Sequence, residues 1–256
     1  MDAHKKIAVT GSTGRLGPHV VEVLRSAGHD VVEISRSAGV DVVTREGLDD
    51  ALRGVDVVID AATGASPDKD EATDFFVTST RNVQDAAQRA GVSRIVVVSI
   101  IGCDRAVGGY NAAKAAHEQA LLAGPVPVVI LRAAQFHELV GQMLAWGTQG
   151  DVAYVPEMRT QLISARTVAE ELVRLAGAPD APSMSEIGGP QPESLVATAT
   201  LLAARRGDDV RVEGVSDPED PDNSLYTDGG LLPGPDATLA GPTFEAWLEA
   251  TVPAAR

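Results

Sequence analysis

The sequence predicts an α/β protein built on a doubly wound parallel sheet, and three observations carry that prediction. Short apolar runs alternate with stretches of helical periodicity through the first half of the chain. Most of the helical stretches stop at a glycine, namely Gly28, Gly54, Gly91 or Gly124, the residue that ends helices most readily. The first apolar run is followed at once by Gly11, Gly14 and Gly17, three glycines at spacing three. Strands separated by helices pair in parallel through right-handed crossovers, and such sheets take ligands beyond the carboxyl ends of their strands.

Taken in order, residues 7–10 form a short, β-prone apolar run, and residues 15–27 place Leu16, Val20, Val21, Val23 and Leu24 at helical spacing. Further strands are predicted over 31–35, 55–60, 94–99 and 126–131, with helices over 46–52, 72–90 and 111–123. Beyond Leu131 the rhythm loosens. Residues 133–147 read as a helix, 151–156 as a strand, and 164–177 as a helix capped by Ser164. A strand at 183–189 and a helix at 193–206 follow; 216–224, rich in Pro and Asp, read as an exposed loop, and 242–252 as a closing amphipathic helix. Trp146, Met143 and Leu144 read as wall or core residues. The expected domains are 1–150, with returns to about 190, and a smaller lobe over 151–256 interleaved with it.

Composition narrows the function. With 44% hydrophobic residues the chain can build an ordinary core. A net charge of −15, from 36 acidic against 21 basic residues, argues against a nucleic-acid or anionic-membrane surface. Cys103 is the sole cysteine, which excludes an internal disulfide and suits a reducing compartment; as a small apolar residue it reads as buried rather than nucleophilic. The first ten residues lack the apolar core of a signal peptide, and no apolar stretch is long enough to span a membrane, so a cytoplasmic location is expected. The five histidines are scattered, and no metal site is expected.

The glycine triplet is where chemistry enters. A strand-to-helix turn of Gly11, Ser12, Thr13, Gly14, Arg15, Leu16 and Gly17 permits unusual dihedrals and lets a ligand approach the backbone. The helix that follows offers unpaired amides and a partial positive charge, which suits a phosphate; a ligand-free tight turn is the plainer alternative. After the second strand comes Ser35-Arg36, where a ribose-binding acidic residue would serve NAD. A hydroxyl and a guanidinium suit the 2′-phosphate of NADP instead, NAD being the disfavoured alternative, and Arg15 is a second candidate phosphate partner. Ala61, Ala62 and Thr63 follow the third predicted strand as small residues beside a flat ring or ribose. Tyr110 and Lys114 stand four apart at a helix start, hence on one face, where the ammonium would lower the phenol's pKa and make Tyr110 a proton donor.

Together these pieces resemble the short-chain dehydrogenase/reductase superfamily and, within it, the NmrA-like NAD(P)H-binding branch, well over residues 5–175 and loosely beyond. The resemblance implies a Rossmann-type fold with a small C-terminal substrate lobe. It implies that Asp41, in the segment around the family's third strand, accepts from the adenine amine with Val42 beside the ring. It makes Ser99 the catalytic serine, although Ile100 and Ile101 follow it where better-known branches often carry a second serine. It places Ala134, Gln135 and Phe136 against the nicotinamide. Thr78 stands where extended members commonly carry Asn, with Asn82 a turn later. His137 and Glu138 would face the substrate cleft, as pocket lining, solvated residues or an acid/base pair; Gln161 and Arg166 are further candidate substrate contacts.

The expected activity is NADPH-dependent reduction of a carbonyl or conjugated double bond in a small organic molecule. Tyr110 would give the proton, Lys114 would hold the nicotinamide ribose and tune Tyr110, and Ser99 would orient the substrate oxygen. The alternatives are a non-catalytic NADP(H)-binding sensor, the one reading that needs a protein partner, and a non-redox epimerase or isomerase. The sequence leaves the substrate and the oligomeric state open.

Overall fold

The structure, a computed structural model, describes residues 4–64 and 66–254; Met1–Ala3, part of the leader reading above, lie outside the described residues. The chain begins β1 (Lys6–Thr10), α1 (Gly17–Ser26), β2 (Asp30–Ile34), α2 (Leu48–Ala51), β3 (Val57–Asp60), α3 (Lys69–Ala90), β4 (Arg94–Ile100), α4 (Gly109–Leu122) and β5 (Val128–Ala133). It continues α5 (His137–Gly147), β6 (Thr148–Gln149), β7 (Val152–Pro156), β8 (Arg159–Thr160), α6 (Ala165–Gly177) and β9 (Met184–Gly188). The last elements are β10 (Glu193–Ser194), α7 (Leu195–Arg206), β11 (Arg211–Val215), α8 (Asn223–Thr227), β12 (Thr238–Leu239) and α9 (Phe244–Thr251).

Seven strands form a Rossmann-type sheet in the order β12-β9-β5-β4-β3-β1-β2. β1 pairs in parallel with β2 on one side and β3 on the other, with Thr10 opposite Ile34 and Asp60. The chain therefore reverses its direction of travel across the sheet at β1, and the carboxyl ends of β1 and β3 flank the switch point where such sheets bind ligands. Because helices cover both faces, the inner strands are apolar on both sides: β3 is buried along its whole length.

Two compact units result, Met1–Arg132 with Val168–Ser185, and Ala133–Thr167 with Glu186–Arg256. The first stretch of the first unit ends at Arg132, and the chain returns to that unit for 168–185. The first unit's core gathers Ala8, Ile34, Leu52, Val58, Val83, Ile95 and Ile130. The second has its own core, including Val140, Ala153, Leu162, Leu195, Leu202 and Phe244, and carries two small sheets, β11-β7-β6 and β10-β8.

Two helix expectations need correction, and one connecting segment takes its own shape. Residues 40–46, within the stretch likened to the family's segment around its third strand, form a turn: Asp41 Oδ1 accepts from the amides of Val43 (2.7 Å) and Thr44 (3.1 Å), and Arg45 has φ 72°. An acidic side chain that bonds its own next amides competes with a ladder, and β2 is left at the sheet edge. The helix expected at 46–52 is a single turn, entered from Gly47 in the left-handed region. The helix expected from 193 starts at Leu195, because Glu193–Ser194 pair with β8 and Ser194 caps the Ala197 amide. No helix among the described residues is long and apolar enough to cross a membrane.

Candidate functional site

The turn after β1 is built so that side chains cannot enter it. Gly11 has φ 64°, and a Cβ there would sit 2.5 Å from the Ala61 carbonyl oxygen; a Cβ on Gly17 would sit 2.1 Å from the Gly11 carbonyl oxygen. The Gly14 amide closes the turn onto the Gly11 carbonyl at 2.9 Å. Leu16 caps α1 without a side-chain hydrogen bond, and Pro18 occupies the first turn. Ser12 Oγ is buried and has no protein partner. An orphaned hydroxyl beside uncapped helix amides is the donor set a phosphate needs, so these residues fit the pyrophosphate of a dinucleotide. Thr13, Gly14 and Arg15 are exposed along the rim.

At the end of β2, Ser35 Oγ accepts from the Ala38 amide (3.3 Å) and lies 3.0 Å from Ser37 Oγ, while Arg36 is exposed. Asn82 Nδ2 donates to the carbonyls of Val42 (2.9 Å) and Val43 (2.8 Å), so α3 holds the Asp41 turn in place. The Val42 side chain packs on the first unit's core.

Ala61, Ala62 and Thr63 follow β3, whose last residue, Asp60, organises them. Asp60 Oδ1 accepts from Thr10 Oγ1 and from the Ala62 amide (3.1 Å), and Oδ2 lies 3.4 Å from His117 Nε2. Thr63 Oγ1 is 2.7 Å from the Tyr110 hydroxyl. Burial pushes the Tyr110 phenol above its ordinary pKa; the Thr63 hydrogen bond and the Arg15 charge pull it back, and Asp60 adds to the rise. The phenol thus stays protonated at neutral pH, the state an acid requires.

The Lys114 ammonium is bonded to groups other than that phenol. Its ammonium, 4% exposed, donates to the Val98 carbonyl (2.9 Å) and meets His117 Nδ1 at 2.8 Å. Phe76 sits against all three residues: its ring is stacked on His117 at 4.6 Å, lies edge-on to Tyr110 at 5.6 Å, and has Lys114 Nζ 4.6 Å from its centroid. Four-residue spacing sets both Tyr110 and Lys114 on one face of α4, but α3 supplies the aromatic ring that draws the ammonium inward. Burial lowers Lys114 to about 8, with the charges of Asp60, Cys103 and Glu118 opposing. Burial, then the Lys114 charge, hold His117 at about 4, so it is neutral at pH 7. Burial would raise Asp60, but His117, Thr10 and the Ala62 amide outweigh it and set it at about 2. Lys114⁺, His117 and Asp60⁻ stand in a buried row, with His117 Nε2 3.4 Å from Asp60 Oδ2 and short of a formed hydrogen bond.

Ser99 is likewise buried. It is 2% exposed, with Oγ 3.6 Å from Cys103 Sγ and a further hydrogen bond with Glu118. Glu118 is clamped by Arg132 through Nε (3.0 Å) and Nη2 (2.7 Å) and accepts from Cys103 Sγ at 3.3 Å. Burial and the Glu118 charge push the Cys103 thiol up, so it is a packing residue.

Ala134, Gln135 and Phe136 fall in the second unit, directly after β5. There Ala134 donates its amide to Ile187, Gln135 Oε1 accepts from Thr160 Oγ1 at 2.7 Å, and Phe136 bridges Ile163. His137 does not face a cleft: it is 0% exposed, lies 3.2 Å from the Pro242 carbonyl and packs on Phe244 and Trp247. Gln161 is also turned inward, 6% exposed and donating to the Gly189 carbonyl at 2.7 Å. Among the described residues no group of His, Cys, Asp and Glu is placed to hold a metal ion.

Asp60 and His117 escaped the sequence reading. An apolar strand that ends on a carboxylate, and a histidine three residues after Lys114 and seven after Tyr110, were the available signals.

Residues 11–179 match the NAD(P)H-binding family, and the chain belongs to it. Its fold is shared with dTDP-4-dehydrorhamnose reductase from Bacillus anthracis in complex with NADP, at 17% identity and TM-score 0.73, covering 97% of this chain and 98% of that one. It is shared with UDP-N-acetylglucosamine 4-epimerase from Bacillus cereus, at 19% identity and TM-score 0.68, covering 96% and 94%. A short-chain dehydrogenase/reductase superfamily protein from Agrobacterium tumefaciens with bound NAD has it too, at 20% identity and TM-score 0.62, covering 98% and 93%. No curated protein sequence matches the chain.

Proposed function

We propose that this protein is an NADPH-dependent oxidoreductase that reduces a carbonyl or conjugated double bond of a small organic molecule. The observation that carries the reading is the Tyr110 phenol, held protonated beside Thr63 at the carboxyl end of β3, across the switch point from the glycine turn. Bound NADPH supplies the hydride. The turn at Gly11–Gly17 cradles the pyrophosphate, and Arg36 with Ser35 meets the 2′-phosphate. Tyr110 gives its proton to the substrate oxygen as charge develops there. Lys114 stays below the site, where the His117–Asp60 pair balances its charge and Asp60 holds the Ala62 amide under Thr63.

A second reading, a non-catalytic NADP(H)-binding sensor acting through a protein partner, is favoured by one observation: Ser99 and Lys114 are both buried and bonded to groups other than Tyr110. The names of the neighbours include a reductase and an epimerase, so the fold alone does not choose a reaction. Calorimetric titration with NADPH and NADH, followed by a screen of carbonyls and enones for NADPH oxidation, separates these readings. The oxidoreductase reading expects tighter NADPH binding and turnover of at least one compound. Equal affinity for both dinucleotides overturns the NADPH preference. Tight NADPH binding with no oxidation across the panel favours the sensor.

A further inference from the structure

We propose that Thr63 is a catalytic hydroxyl that works directly on Tyr110, holding the phenol and returning its proton. The inference rests on the proton-donor reading of Tyr110 above. Thr63 is exposed on the loop after β3, and its Oγ1 meets the phenolic oxygen at 2.7 Å. The same Oγ1 lies 3.2 Å from the Gly64 carbonyl, to which it can only donate. A threonine has one hydroxyl proton, so the two contacts fix each other. While Thr63 donates to Gly64, Tyr110 must be the donor to Thr63.

That arrangement changes when Tyr110 acts. The phenolic O–H bond breaks and a new O–H bond forms on the substrate oxygen, leaving a phenolate. Thr63 then rotates its proton away from the Gly64 carbonyl and donates it to the phenolate, a charge-assisted bond stronger than the one it gives up. The phenol is restored when Thr63 passes its proton along that bond while its exposed oxygen accepts one from solvent, so one proton is taken up from the medium per turnover and no alkoxide or hydroxide is left. No oxidant or reductant beyond NADPH is needed.

Other hydroxyls and cations near α4 are already committed. Ser99 lies among Cys103 and Glu118, and Lys114 is bonded to Val98 and His117. The charged groups that act on the phenol are Arg15 and Asp60, while Lys114 and His117 pack on Phe76. Thr63 is also well placed to be precise: Asp60, anchored by Thr10, holds the preceding Ala62 amide.

The test compares Thr63→Val, which keeps the shape and removes the hydroxyl, with Thr63→Ser, which restores it. Ultraviolet difference titration, with Tyr110→Phe as the reference that subtracts Tyr154 and Tyr226, reads the phenol itself. Thr63→Val is expected to raise the Tyr110 midpoint by about one pH unit and to lower kcat for NADPH-dependent reduction by about ten- to a hundredfold. Thr63→Ser should return both values towards the wild type. A wild-type midpoint in Thr63→Val, or a serine variant no better than the valine one, overturns the proposal. A wild type that reduces nothing counts against the oxidoreductase reading instead, and the titration alone then upholds or overturns the Thr63–Tyr110 coupling.

Discussion

Lys114 stands where spacing says it should, yet its ammonium points to a carbonyl and an imidazole rather than to the phenol four residues earlier. Spacing on a helix is legible in a sequence because the period is fixed; the direction of a flexible side chain is set by what packs on it, here Phe76 from α3. Glycine positions are the opposite case, since the need for Gly11 and Gly17 follows from backbone geometry alone. The Lys114 charge is one cause of the low His117 pKa. Lys114→Met should therefore raise the His117 midpoint, read from its imidazole resonances, towards the ordinary histidine value. An unchanged midpoint would contradict the buried row. Arg36 is the other residue with a sharp consequence: Arg36→Asp should reverse the preference from NADPH to NADH in calorimetric titration, because a carboxylate repels the 2′-phosphate and accepts from a ribose hydroxyl.

Among the elements, the inner strands β1, β3, β4 and β5 were legible because strands buried on both faces read as unbroken apolar runs. The turn over 40–46 was not, because it is set by the Asp41 side chain bonding its own next amides and by Arg45 at φ 72°. The two-residue strands β6, β8, β10 and β12 are too short to carry a period. The β1–α1 turn is the element on which binding depends. Gly17→Ala would press a methyl onto the Gly11 carbonyl, so the turn must shift. We expect dinucleotide affinity to fall by at least about a hundredfold, with a stability loss of about 1–3 kcal/mol. Calorimetry beside thermal unfolding checks both, and a fully binding alanine variant would refute the cradle.

At the scale of the whole molecule, each unit buries a neutral histidine. Burial lowers both His117 and His137 to about 4, with the Lys114 charge adding at His117 and the Pro242 carbonyl opposing at His137. An unfolded histidine binds its proton near 6.5, so between pH 6.5 and 4 the unfolded chain holds more protons than the native one. Stability should fall as pH falls through that window, by at most about 3 kcal/mol for each histidine. Asp60, at about 2 in the fold, adds a further loss only between about 3.8 and 2. His117→Gln should make the profile between 6.5 and 4 less steep in chemical denaturation, with the His137 share remaining; an equally steep profile would contradict the neutral, buried assignment. The most direct measurement of all is NADPH oxidation by Tyr110→Phe beside the wild type, on the first carbonyl or enone that the wild type consumes. One hydroxyl at the rim is lost, so NADPH affinity should be preserved while turnover falls by about two to four orders of magnitude. A Tyr110→Phe variant that turns the compound over at the wild-type rate would contradict the assignment of Tyr110 as proton donor.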